Sequence, residues 1–267
     1  MRARWRCHTD MPTRLDLTDR VAVVIGATSG LGRGLAVGLA EHGAHVIPTG
    51  RREEHLEEAC QEVEAVGAKT LRQPSDVRDR KSIDALRDAV LQEFGRVDIL
   101  VNAAGFSAKE ATATMAEEIW TCLIDTNLNG ALRACQSFYG PLKESGRGRV
   151  INVASLGSFL AFHQVAGYCA AKSALVSLTR SLACEWARDR ISVNAIAPGV
   201  FPTELNAEFV LDTPRGQEIL MRTPMRRFGN PEELVGVAVM LASDAASFLT
   251  GQCIAVDGGY LASGVNS

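Results

Sequence analysis

The 267-residue chain lacks what several functional classes require. It has no block of like charge: 28 Lys+Arg against 31 Asp+Glu leave a formal net charge of −3, so neither a phosphate-tracking surface nor an anionic-membrane anchor is present. Nucleic acid and membrane are therefore not expected as partners. Long apolar runs are missing too. The longest stretch without formal charge, 150–171, is broken by Asn152, Ser155, Gly157, Ser158, His163, Gln164 and Gly167 and does not read as a membrane span. The first twenty residues carry five arginines but no apolar h-region or cleavage site, which argues against a secretory signal. The expectation is a cytoplasmic protein with a flexible N-terminal extension over 1–16, translated from Met1 or from Met11. The seven cysteines are odd in number and have no C-x-x-C spacing, and the five histidines have no ligand spacing. Reduced cysteines packed as small hydrophobes, and no metal site, are the reading.

What the chain does have is 46% hydrophobic residues, enough to bury a large core and to exclude disorder or a collagen-like chain. Short apolar runs alternate with longer helix-period segments, the pattern of βαβ units around a parallel sheet. Strands are expected at 21–26, 45–49, 70–73, 97–101, 149–154, 191–197 and 253–256. Helices are expected at 30–42, 53–66, 80–94, 117–142, 167–188 and 232–243. The result is one α/β domain over 17–267, doubly wound, with a seven-stranded parallel sheet flanked by helices. Between Gly199 and Gly229, Pro202, Pro214 and Pro224 punctuate an insertion that reads as a binding loop.

The first expected strand runs into Gly26-Ala-Thr-Ser-Gly30-Leu-Gly32 and then a helix. Glycines there permit tight backbone angles, and the helix N-terminus offers free N–H groups to a pyrophosphate. Gly26, Thr28, Ser29, Gly30, Leu31 and Gly32 are the candidate contacts; a tight turn that binds nothing is the alternative. The second strand ends at Gly50-Arg51-Arg52-Glu53. Gly50 stands where an NAD site places an acid for the ribose hydroxyls, and Arg51 can pair with a 2′-phosphate, so NADP(H) is favoured over NAD(H). Glu53 also lies near the acidic position, and the two arginines can equally be a solvated helix start. Asp76 and Val77 after the third strand are candidates for the adenine, with helix capping by Asp76 an equal alternative. Asn102, Ala103, Ala104 and Gly105 after the fourth let a dinucleotide approach the backbone, or form a plain turn.

Tyr168 and Lys172 lie four apart on one helical face, where a cation favours the phenolate. Ser155 closes the fifth strand and can donate to a carbonyl oxygen. Together with the glycine turn, Asn102-Ala-Ala-Gly105, Asn127 and Pro198-Gly199, these residues resemble the short-chain dehydrogenase/reductase family over about residues 17–260.

That resemblance implies a Rossmann-type fold, a homotetramer, and hydride transfer between nicotinamide and a carbon bearing a hydroxyl or carbonyl. It makes Tyr168 the general acid/base and Lys172 the group that lowers its pKa and holds the nicotinamide ribose. Ser155 then polarises the substrate and Asn127 supports a proton relay. It also nominates Pro198, Gly199, Val200 and Thr203 as contacts to the carboxamide. Ile25 and Ala103 depart from the usual threonine and asparagine of the pattern. The segments 198–236 and 256–263 are similar to the gluconate 5-dehydrogenase branch, which implies a small sugar acid or polyol as substrate. His163, Phe201 and Asn206 are the substrate candidates, with Gln164 and Arg222 also in reach of hydroxyls or a carboxylate. A 3-oxoacyl-thioester reductase and a broad-specificity ketone reductase share the same set. Arg147 and Arg190, beside Gly146 and Asp189, keep the first of these open. A non-catalytic NADP(H) sensor or scaffold is the alternative of another class.

Overall fold

Val21-Ala-Val-Val-Ile25 forms a strand because both of its faces are covered: Ala22 and Val24 join one apolar cluster while Val21, Val23 and Ile25 join the other. Successive side chains on a strand point to opposite faces, so a run buried on both must be continuously apolar. The same division holds for Ile99 and Val101 against Leu100. The computed structural model describes residues 15–203 and 206–265. Met11 and most of the expected N-terminal extension, with Glu204 and Leu205 of the binding loop, lie outside the described residues.

Six strands form the sheet: β1 (Val21–Ile25), β2 (His45–Thr49), β3 (Ile99–Asn102), β4 (Arg149–Val153), β5 (Ser192–Pro198) and β6 (Cys253–Val256). They are all parallel, in the order β2-β1-β3-β4-β5-β6. Helices α1 (Gly30–Glu41), α2 (Glu53–Ala65) and α9 (Val235–Ala242) cover one face. The other is covered by α3 (Arg80–Phe94), α5 (Gly130–Glu144) and α6 (Ala166–Trp186). Because β2 and β3 flank β1 on opposite sides, the chain reverses direction there, and the carboxyl ends of β1 and β3 open a crevice. Among the described residues, no helix is long and apolar enough to cross a membrane.

The expected seventh strand, 70–73, is not formed. Its backbone runs beside β2, where Val46 N donates to Lys69 O at 3.1 Å and Ser75 N to Gly50 O at 3.0 Å. Between those bonds the outward-facing residue of β2 is Pro48, which has no N–H to continue the ladder, and Gln73 N turns back onto Leu71 O. The expected single helix 117–142 is likewise divided. A π turn, Asp125–Asn129, separates α4 (Glu117–Ile124) from α5, and such turns are frequent at functional sites. The loop after β5 carries two short helices, α7 (Ala207–Val210) and α8 (Pro214–Arg222).

Candidate active site

The glycine turn sits at the β1–β3 crevice. Gly26 has φ +84° and Gly30 φ +56°, a region that L side chains rarely adopt. A Cβ on Gly26 would run into the backbone of Ala103 and Ala104, and one on Gly32 into the Gly26 carbonyl. These two glycines therefore let β1, α1 and the turn after β3 close on one another. At Gly30 the nearest atoms are those of Thr203, 3.4 Å from an ideal Cβ, so the turn faces the binding loop across the crevice. Ser29 stands at the N-cap of α1 without capping through its side chain, and its hydroxyl accepts from the Arg52 guanidinium at 2.8 Å. Thr28 packs on Gly50, and Arg51 is exposed. Sequence reasoning singled out Arg51; the contact between Arg52 and the turn crosses 23 residues and has no local signal.

Asp76 accepts from the Arg78 backbone N–H at 2.9 Å and pairs with its guanidinium. Burial opposes the charged carboxylate, but these bonds outweigh it and hold the pKa below the usual range. The cap of α3 is Asp79, which accepts from Lys81 N. Val77 packs against Gly130. Asn102 turns its side chain into the core: its amide donates to Asn152 at 2.8 Å, and Asn152 donates to Thr179 at 2.9 Å. Farther along that turn, Ala103 packs against one core cluster and Ala104 against the other.

Ser155 follows β4, and its hydroxyl oxygen accepts from Gly157 N at 3.0 Å, leaving its own proton to donate. Tyr168 lies in the first turn of α6 with its hydroxyl on Ser155. Burial pushes the phenol pKa up and the Ser155 bond pulls it back in part. One turn on, Lys172 is buried; its ammonium donates to Val153 O at 2.7 Å and stands 5.8 Å from the Tyr168 ring centroid. Burial alone lowers its pKa to about 8. Asn127, on the π turn, donates to Leu123 O at 2.9 Å and Phe106 O at 3.0 Å. Its Oδ1 is buried without a hydrogen-bond partner. A Cβ placed on Gly105 would lie 2.5 Å from that oxygen and 3.3 Å from Lys172 Nζ, so both atoms converge on Gly105.

The loop after β5 begins after Pro198. Gly199 passes close to Asp257, where a Cβ would lie 2.7 Å from its Cα, and Val200 O accepts from Gly229 N at 3.0 Å. Asn206 is occupied with the loop itself, accepting from Thr203 N at 2.7 Å and donating to Phe201 O at 3.0 Å. Phe201 is buried against Gly229. His163 is exposed, and Gln164 O accepts from Glu110 N at 2.8 Å. A cavity of about 220 Å³ lies behind this loop, walled by Val200, Thr223, Phe228 and Asp257 and without Ser155 or Tyr168. Arg222 stacks over the Tyr260 ring at 5.7 Å, and Tyr260 lies 6.4 Å from Phe162.

A parallel sheet with a glycine turn at its switch point, and a serine, a tyrosine and a lysine gathered beside it, define a nucleotide-dependent oxidoreductase. A family model described as enoyl-(acyl carrier protein) reductase matches residues 26–261. The 2-dehydro-3-deoxy-D-gluconate 5-dehydrogenase of Dickeya dadantii is 40% identical over 248 residues, 92% of this chain and 97% of that one. An NAD-dependent glycerol dehydrogenase of Listeria innocua is 36% identical over 92% of this chain and 95% of its own. Among solved structures, a gluconate 5-dehydrogenase from Burkholderia cenocepacia, in complex with NADP and tartrate, superposes with TM-score 0.90. It is 34% identical and covers 94% of this chain and 98% of its own. The chain belongs to the short-chain dehydrogenase/reductase family.

Proposed function

We propose that the protein interconverts a secondary alcohol and a ketone on a small sugar acid, using NADP(H) in preference to NAD(H). The observation that carries this reading is the meeting of Ser155, Tyr168, Lys172 and the unpartnered Asn127 Oδ1 at one lip of the crevice. The glycine turn fits a dinucleotide: its backbone is closely packed at Gly26 and Gly32 but faces the binding loop at Gly30, where the α1 N–H groups lie. Bound nicotinamide supplies or takes the hydride, and the protein does the rest.

In the reducing direction, Ser155 donates its proton in a hydrogen bond to the carbonyl oxygen, where negative charge develops. Tyr168 transfers its own proton to that oxygen as general acid. The resulting phenolate is stabilised by the Lys172 ammonium on the same helical face. Lys172 works close to its own pKa of about 8, and Asn127 Oδ1 faces the same Gly105 position as a hydrogen-bond acceptor for a water that carries the returning proton to Tyr168.

NADP(H) is favoured because β2 ends at Gly50 without an acid, Arg51 is exposed beside it, and Arg52 reaches the turn through Ser29. The Burkholderia enzyme with NADP supports this preference, and the NAD-dependent Listeria enzyme is the counter-example that the test must address. The sugar-acid reading rests on the relatives from Dickeya and Burkholderia. The alternative of a carrier-protein reductase loses support from two side chains. Arg147 is engaged by the buried Asp98 at 3.0 Å, and the position before the exposed Arg190 is an acid, Asp189, paired with Lys143 and Tyr139. Assembly into a homotetramer, which the family resemblance implies, belongs to the same reading; light scattering gives the mass directly.

The test follows the absorbance of the reduced cofactor with NADP(H) and NAD(H) against gluconate, 5-ketogluconate, a 3-oxoacyl thioester and simple ketones. Sugar-acid turnover with NADP(H) is expected. Turnover of thioesters or ketones alone would keep the chemistry and overturn the substrate.

A further inference from the structure

A sugar acid differs from a neutral polyol by its carboxylate, and a site that selects it needs a cation without a carboxylate partner of its own. Around Ser155 the described cations are few besides Lys172, whose ammonium is held by Val153 O at 2.7 Å beside Tyr168. The loop from Leu156 to Gly167 holds only His163; the turn after β3 holds Lys109; the binding loop holds Arg215, Arg222, Arg226 and Arg227. Arg227 is committed to Glu233, with contacts of 2.6 and 2.7 Å, and Arg226 has partners within the fold. Arg215 lies seven residues before Arg222 on α8, about 10 Å along the helix axis.

Arg222 is placed differently. Its guanidinium lies over the Tyr260 ring at 5.7 Å, and Tyr260 is buried against Phe162 of the loop that follows Ser155. Leu156, the residue next to Ser155, packs in one cluster with Tyr260 and with Ile219 of α8. Contiguous packing thus connects the ring beneath Arg222 to the segment that begins next to Ser155. No described carboxylate pairs with Arg222. An aromatic face orients a guanidinium while leaving its N–H edge free for a bidentate carboxylate.

We propose that Arg222 binds the substrate carboxylate and thereby discriminates sugar acids from their neutral counterparts. This rests on the sugar-acid reading above. A neutral ketone or a thioester has no group for this guanidinium, so the contribution appears only with the charged substrate.

The experiment compares gluconate with gluconamide, the same polyol with an amide in place of the carboxylate, in wild type and in Arg222→Gln, Arg222→Lys and Lys109→Gln. The expected result is a wild-type preference for gluconate that Arg222→Gln abolishes through a rise in KM of about tenfold or more, with kcat nearly unchanged. Gluconamide kinetics should be unchanged within about twofold, and Arg222→Lys should restore part of the preference. A preference that survives in Arg222→Gln, or that disappears in Lys109→Gln instead, overturns the assignment and leaves the sugar-acid reading standing. A wild type that oxidises neither compound, or both equally, overturns that reading and the assignment with it.

Discussion

Gly105→Ala puts one methyl group where the side chains of Asn127 and Lys172 converge. Its Cβ would lie 2.5 Å from Asn127 Oδ1 and 3.3 Å from Lys172 Nζ. Relief requires Asn127 to retreat by several tenths of an ångström, but its amide is held by Leu123 O at 2.9 Å and Phe106 O at 3.0 Å. Losing or stretching those two bonds costs about 1 kcal/mol each, so about 2 kcal/mol in all. For a domain of this size that lowers Tm by roughly 4–8 °C. The same methyl crowds Lys172 Nζ and lowers kcat. The assay is a double-mutant cycle with Asn127→Ala, read by thermal unfolding and by turnover. Asn127→Ala removes the 2.5 Å collision and leaves only Lys172 Nζ at 3.3 Å, so Gly105→Ala should cost far less stability in the Asn127→Ala background than in wild type. Additive losses of stability would refute the clash and the convergence argued from it.

Lys172 gives a pH test. Its pKa in the fold, about 8, lies below the ordinary 10.5, so between these values the unfolded chain holds a proton that the folded chain has released, and stability from this group rises with pH. Relative to Lys172→Met, wild type should gain about 1 kcal/mol in urea unfolding between pH 7 and pH 9; a flat or falling difference contradicts a depressed lysine. Replacing Arg51 and Arg52 together by Ala should weaken NADPH binding about tenfold or more, with NADH nearly unchanged in a fluorescence titration. Equal losses for both would reduce the arginines to general surface charge. Asn152→Leu leaves the buried Asn102 amide without its oxygen acceptor, costing about 1–3 kcal/mol and roughly 2–12 °C in Tm. An unchanged Tm would show that Cys135 Sγ, 3.4 Å away, is partner enough.

The strands were legible wherever both faces are buried, because Val21–Ile25 and Ile99–Val101 must then be apolar throughout. The segment 70–73 read as a strand from its own composition. What prevents it is Pro48 on the neighbouring β2, a property of the partner and not of the segment. The helix over 117–142 read as continuous because apolar spacing runs through it. The π turn at Asp125–Asn129 is fixed by where the Asn127 side chain finds carbonyls, one of them Phe106 O from another part of the chain. Ser155, Tyr168 and Lys172 were visible as residue types at family spacing. The Arg52–Ser29 contact and the Arg222–Tyr260–Phe162 stack join segments far apart in the chain and leave no trace in local pattern. Asn206 and Phe201 read as substrate contacts by position, while the fold engages one with loop backbone and buries the other.

The measurement closest to the central claim is turnover of gluconate and 5-ketogluconate with NADP(H) by wild type and Tyr168→Phe, with NADPH binding followed in parallel by fluorescence. Removing a general acid is expected to cost about 10²–10⁴ in rate. Turnover should therefore nearly vanish in Tyr168→Phe while NADPH still binds. Sugar-acid turnover undiminished in Tyr168→Phe, or a wild type that binds NADPH and turns over no carbonyl compound, would contradict the account.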